Sequence, residues 1–191
     1  MKPFTKLPVF IAVYFLSGLV MALPILQSQL YNRLEVWLPV ILWLAGGMFG
    51  YVVLSLDRII DIYITHPNTK LAGYVKQLVS QGWYRQAWQV IQANKHLQPR
   101  LVFHSVLFQA IWVFLALFTV TSTFQLFGQG FVLGLGLHLL LEEWQEYNKD
   151  KEKLKQWLFW QLNLTLSDRD VKWYLLAISI LITTFFLMVI L

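Results

Sequence analysis

The chain has 191 residues, of which 58% are hydrophobic and 13% charged, and its mean hydropathy is +0.57; this excludes an ordinary water-soluble composition and makes lipid the expected solvent. With no cysteine, disulfides, Cys-ligated zinc, iron–sulfur clusters and thiol catalysis are excluded. The net charge of +5 comes without a basic arm of interleaved aromatics, so no nucleic-acid partner is expected and the charge is assigned to loop orientation.

A helix needs about 20 mostly apolar residues to cross the hydrocarbon core. Residues 7–26 and 36–56 supply two such runs and 101–121 a third, followed by a shorter glycine-rich run at 124–141 and a last one at 174–191. Met21 to Pro24 is not a small-x-small cleavage site, so the first run is expected to stay as a span. Between the second and third spans, 69–96 carries Leu71, Tyr74, Val75, Leu78, Trp83, Ala87, Trp88 and Ile91 at helical spacing, with Gly82 as the divider. This pair of amphipathic helices either lies among the headgroups or docks a protein partner. A second amphipathic helix is expected at 154–166, and Ser167 with Asp170 has capping-box spacing for the start of the last span. Asn163-Leu-Thr165 matches a glycosylation acceptor, which is coincidental on a cytoplasmic face. The expected fold is therefore all-α: a polytopic helical membrane protein of about five transmembrane helices forming one integral domain, with amphipathic helices on the cytoplasmic side.

Orientation follows from the basic residues, which cytoplasmic loops retain. Of the 15 Lys and Arg, only Arg33 falls in an outer loop. The N-terminus is expected in the cytoplasm and the C-terminus outside, in a membrane such as the bacterial inner membrane.

Ionisable groups at the ends of spans are costly and are candidates for function. Asp57 and Asp61 follow the second span at i, i+4 spacing, His104 opens the third, and His138 and Glu142 close the fourth as another i, i+4 pair, with Glu143 adjacent. The alternating topology puts all of them in one cytoplasmic layer. Taken singly, each also has a structural reading: a packing contact for His138, a helix leaving lipid at Glu142 and Glu143, a surface ion pair of Asp57 with Arg58. Together they form a mixed nitrogen and oxygen set suited to a divalent metal, zinc, manganese or iron.

Three short motifs within 54–144 carry a family resemblance. Leu54 to Asp57 aligns with Pro-Asp-x-Asp, keeping Asp57 and placing Ser55 at the first acid. Pro99 to Ser105 aligns with His-Arg-x-x-x-His-Ser, keeping Arg100, His104 and Ser105, and His138-Leu-Leu-Leu-Glu142 aligns with His-Leu-Leu-x-Asp. In these the chain resembles the predicted membrane-bound metal-dependent hydrolases, small inner-membrane proteins. The resemblance implies a cytoplasm-facing metal site with Asp57, His104, His138 and Glu142 as ligands, Asp61 or Glu143 as general base, and hydrolytic activity. The alternatives are a non-enzymatic membrane scaffold or interaction protein of the same fold and, less favoured because the polar groups lie at one end only, a transporter component.

Overall fold

The computed structural model describes residues 6–27, 34–94, 101–122, 125–162 and 166–190. Pro99, Arg100 and the Asn163 to Thr165 stretch lie outside them. The described residues form eight α-helices: α1 (Lys6–Gln27), α2 (Leu34–Ile60), α3 (Lys70–Ser80), α4 (Tyr84–Ala93), α5 (Val106–Ser122), α6 (Leu126–Lys149), α7 (Lys151–Phe159) and α8 (Asp168–Ile190). A π-helical turn, Asp61–Thr65, extends α2.

Five long helices build the bundle, and their contacts fix its directions. Trp43, Gly47 and Tyr51 of α2 meet Gly130, Gly134 and His138 of α6 in rising order, so these two helices run parallel. Phe10 of α1 stacks near Tyr51 while Tyr14 lies against Trp43, so α1 runs the opposite way. Gln109 of α5 bonds Glu143, and Trp112 bonds the Val132 carbonyl, which makes α5 antiparallel to α6. Trp144 bonds Ser179, while Trp43, which lies beside Gly130, meets Phe186, so α8 is antiparallel to α6 as well. The end of α2, the start of α5 and the end of α6 consequently share one end of the molecule.

The parallel α2–α6 crossing is the tightest contact in the bundle. Gly46 and Gly50 on one helix, and Gly130 and Gly134 on the other, follow small-x-x-x-small spacing, the device by which helix backbones approach closely where no hydrophobic drive exists between them. A Cβ at Gly46 or Gly50 would overlap the carbonyl oxygen of Phe127 or Phe131, and one at Gly130 would stand 2.5 Å from the Trp43 carbonyl oxygen. Gly47 leaves room for the Tyr14 ring and Gly136 for that of Trp112. Tyr14 then donates its hydroxyl to the Gly130 carbonyl at 2.7 Å, and Trp43 donates to Ser17 at 3.1 Å. Both polar tips are thereby satisfied inside an apolar core.

The outside of the bundle is apolar. Phe114, Phe118 and Ile180 are 74%, 64% and 68% exposed. Among the described residues two helices, Trp37–Thr65 and Asp168–Ile190, are long and apolar enough to cross a membrane, and only 28% and 22% of their most apolar windows is buried. The central helix of a soluble protein would be mostly covered.

Four helices depart from the bounds that the spacing predicts. The third long helix starts at Val106 because residues 101–105 form a turn, closed by Ser105, whose hydroxyl accepts from the Phe108 N–H at 3.3 Å. The fourth runs on to Lys149, its acidic tail buried at Glu142, Glu143 and Glu146, the last of these paired with Lys153 of α7 at 2.9 Å. The last begins at Asp168 rather than at 174, where the expected capping box is formed, with Ser167 N–H donating to Asp170 at 3.0 Å and Asp170 N–H to Ser167 Oγ at 3.3 Å. The amphipathic pair is α3 and α4, divided at Gly82 with φ +77°. Instead of running through 154–166, the helix after α6 is the short α7, Lys151–Phe159, which buries Leu154, Trp157 and Leu158.

The crossing yields a direct expectation. Gly50→Leu forces a side chain into the α6 backbone and should destabilise the detergent-solubilised bundle by at least the ~1–3 kcal/mol typical of overpacking. Gly73→Ala, where nothing lies within 4 Å, should instead stabilise α3 by up to about 1 kcal/mol. Paired thermal unfolding curves check both.

Candidate functional site

At the shared end of the bundle, His104 is the centre of a buried cluster. The carboxylate of Asp57, near the end of α2, accepts the backbone N–H groups of Val102 at 3.2 Å and Phe103 at 2.8 Å, which docks the turn before α5 onto α2. The same carboxylate lies 3.1 Å from His104 Nδ1. On the other edge of the ring, Nε2 is 3.1 Å from Glu142 Oε2. Arg58 donates to the second Glu142 oxygen at 2.8 Å.

His138 approaches Glu142 from one turn back along α6. Its Nδ1 is 2.8 Å from the Tyr51 carbonyl oxygen, which can only accept, so this nitrogen carries the proton and Nε2 keeps its lone pair when the ring is neutral. Nε2 is 3.9 Å from Glu142 Oε2, and the Tyr51 ring stacks on the imidazole with centroids 3.9 Å apart. Thus both histidines have Nδ1 tied back and Nε2 turned toward the same carboxylate oxygen. Trp157 of α7 closes over His104 edge-on, at 5.5 Å between centroids.

The remaining candidates lie apart from this centre. Asp61, buried in the π-helical turn, has its Oδ1 2.7 Å from Nδ1 of half-exposed His66. Glu143 points to the α5 side of α6, where Gln109 donates to its Oε1, and Tyr174 donates to Gln109 at 2.5 Å. Glu143 Oε2 is buried without a hydrogen-bond partner. Among the described residues no three His, Asp or Glu side chains are preassembled as a metal ligand group; the donors come as two pairs that share Glu142.

Tyr51, His66, Gln109, Trp157 and Tyr174 are not anticipated by the sequence, and Arg58, expected as a surface partner of Asp57, is buried and pairs with Glu142 instead. Gln109, an amide inside an otherwise apolar run, and Arg58, a guanidinium at the end of a span, were signals available in the residues themselves. Nothing in the pattern distinguishes Trp157 or Tyr174 from the chain's other aromatics.

Burial acts to lower the pKa of His104, but the Asp57 and Glu142 carboxylates on its two nitrogens outweigh it and hold the ring above its ordinary value. Burial pushes Glu143 up to about 8, against the opposing hydrogen bond from Gln109. No family model, no curated protein and no solved structure matches the chain.

Two expectations follow from these couplings. Removing Arg58 leaves Glu142 without its guanidinium, so Arg58→Met should cost about 3–5 kcal/mol, much of it recovered by adding Glu142→Gln, as is general for buried pairs; denaturation of the single and double variants in detergent measures this. The folded chain also keeps protons on Glu143 and His104 at pH values where the unfolded chain has released them. Stability is therefore greatest below the ordinary carboxylate range and falls as pH rises from about 4.5 to about 8, by roughly 3–5 kcal/mol at most from Glu143. Glu143→Gln, which keeps an acceptor for Gln109, should flatten that slope in thermal unfolding series.

Proposed function

We propose that the chain is an integral membrane protein of five spans, α1, α2, α5, α6 and α8, with a divalent transition-metal site at its cytoplasmic end built on His104, His138 and Glu142. The carrying observation is the convergence of two imidazole Nε2 atoms, at 3.1 and 3.9 Å, on one Glu142 oxygen. Two donors on one tetrahedral zinc at 2.0–2.1 Å stand about 3.3 Å apart, so these separations bracket a metal-bound pair. The rear partners fit as well. Metal-ligating histidines commonly donate the other N–H to a carboxylate or carbonyl, here Asp57 and the Tyr51 carbonyl.

In this reading Asp57 orients His104 and holds the preceding turn, since its oxygens already receive two backbone N–H groups. Release of the His104 Nε2 proton converts that nitrogen into a donor beside Glu142. A zinc, manganese or iron ion held there would polarise a bound water for hydrolysis, the activity implied by the resemblance to membrane-bound metal-dependent hydrolases. Of the two acids that the resemblance offers as base, Asp61 is engaged by His66, and Glu143 points to the α5 side of α6 and holds its proton there, so no base is assigned.

Membrane residence is supported by the exposed apolar girdle and the poorly covered apolar helices, and the orientation by the confinement of basic residues to one set of loops. A second reading, a non-enzymatic scaffold, is favoured by one specific contact. Arg58 at 2.8 Å already neutralises Glu142, so the cluster can be balanced without a metal.

Metal analysis separates the two. Purified chain loaded with zinc, manganese or iron(II) and then dialysed should retain about one ion per chain, with retention lost in His104→Ala and His138→Ala. Equal, substoichiometric metal in all three proteins would leave the scaffold reading standing.

A further inference from the structure

The α3–α4 hairpin is the one part of the described structure that is neither a bundle helix nor packed on the site. It hangs from the π-helical turn at the end of α2 and closes a small core of its own, made of Ile62, Ala72, Val75, Leu78, Ala87 and Ile91. Its outer surface is unusual for a solvated helix pair. Tyr74, Trp83 and Tyr84 are 53%, 52% and 68% exposed, and Trp88 shares a helix face with Tyr84 one turn on. Exposed aromatic rings with polar tips are the side chains that settle at the headgroup level of a bilayer.

Charge gives the second, independent observation. From Ile62 to Leu141 the chain contains no Asp or Glu, while the hairpin carries Lys70, Lys76 and Arg85. Lys76 is used internally, donating to the Pro67 carbonyl at 3.0 Å and lying 5.6 Å from the Tyr63 ring centroid. Lys70 and Arg85 remain on the exposed surface. A one-sign cationic surface with outward aromatics, attached directly to the end of a span, complements an anionic bilayer surface. A protein partner would require no such exclusion of acidic residues.

We infer that the α3–α4 hairpin is a headgroup-binding element that seats on the membrane beside the bundle and selects anionic lipid, with Trp83, Tyr84 and Trp88 entering the interface and Lys70 and Arg85 contacting phosphates. This rests on the membrane-spanning reading above and goes beyond it in naming a lipid class.

The absence of cysteine makes site-directed spin labelling of the full chain direct. Tyr84→Cys reports on the hairpin and Phe118→Cys, on exposed α5, on the bundle. Both are labelled, reconstituted into vesicles of phosphatidylcholine or of equimolar phosphatidylcholine and phosphatidylglycerol, and tested for access to a water-soluble nickel relaxant and to oxygen. The label at 118 should be oxygen-accessible and nickel-shielded in both vesicles. The label at 84 should lose nickel accessibility on adding phosphatidylglycerol, and Lys70→Glu/Arg85→Glu should abolish that loss. A label at 84 equally nickel-accessible in both vesicles, with 118 in lipid, overturns the inference while leaving the spans intact, and the face is then free for a protein. Shielding of 84 that is the same in both vesicles overturns the anionic selectivity. Nickel access at 118 overturns the spanning reading and the inference with it.

Discussion

The close parallel contact of α2 with α6 is the constraint on which the rest of the molecule depends. Backbones meet where Gly46 and Gly50 face the Phe127 and Phe131 carbonyls and Gly130 and Gly134 face those of Trp43 and Gly47. Because the helices run in the same direction, each step along one is matched by a step along the other. Trp43 lies beside Gly130, Tyr51 beside His138, and Arg58 beside Glu142. A seam of ordinary side chains would separate the axes by the usual 8–10 Å for packed helices and would pull Arg58 and Glu142 out of contact. The glycine faces, remote from the polar end, thus set its geometry.

Electrostatics then explains how four ionised groups share a buried end. With Asp57 and Glu142 ionised, Arg58 and a doubly protonated His104 bring the sum to zero, and each contact joins opposite signs. Burial of such a set is tolerated when every charge is paired and hydrogen-bonded, and costs several kcal/mol when one partner is lost. Glu143 solves its own burial differently. With only the Gln109 amide for company it keeps its proton, so neighbouring acids on α6 hold opposite protonation states. Adjacent residues of one helix point about 100° apart, and this angular step separates the two environments.

How much of this was legible in the residues varies with the physical range of each feature. Periodic apolar runs and the Ser167/Asp170 box are local, and the helices formed close to where spacing places them. Gly82 divides the amphipathic pair because the left-handed turn there suits glycine. Alternating direction brings Asp57, His104, His138 and Glu142 to one end, which counting helices anticipates. It does not anticipate that Asp61 turns to His66, because the π-helical turn shifts the i, i+4 relation with Asp57. Nor does spacing reveal that Arg58 pairs across 84 positions with Glu142 rather than with its neighbour Asp57. The Gly46/Gly50 and Gly130/Gly134 spacings were present in the residues, but only a second helix gives them meaning.

Burial also separates two capacities that the resemblance joins. His104, His138 and Glu142 are 1%, 6% and 5% exposed, and Trp157 covers the imidazole of His104. A cluster closed to this degree is shut to a substrate molecule while α7 stays in place. On the proposed metal reading, the binding of an ion asks that the Nε2 proton of His104 leave, not that the cover open. Hydrolysis of any larger substrate requires α7 to leave, and α7 is held by Leu154 and Leu158 against Val171 and Leu175 and by Lys153 on Glu146 at 2.9 Å. The two capacities consequently have different structural demands: the first belongs to the α2–α6 seam, and the second to the short helix that covers it.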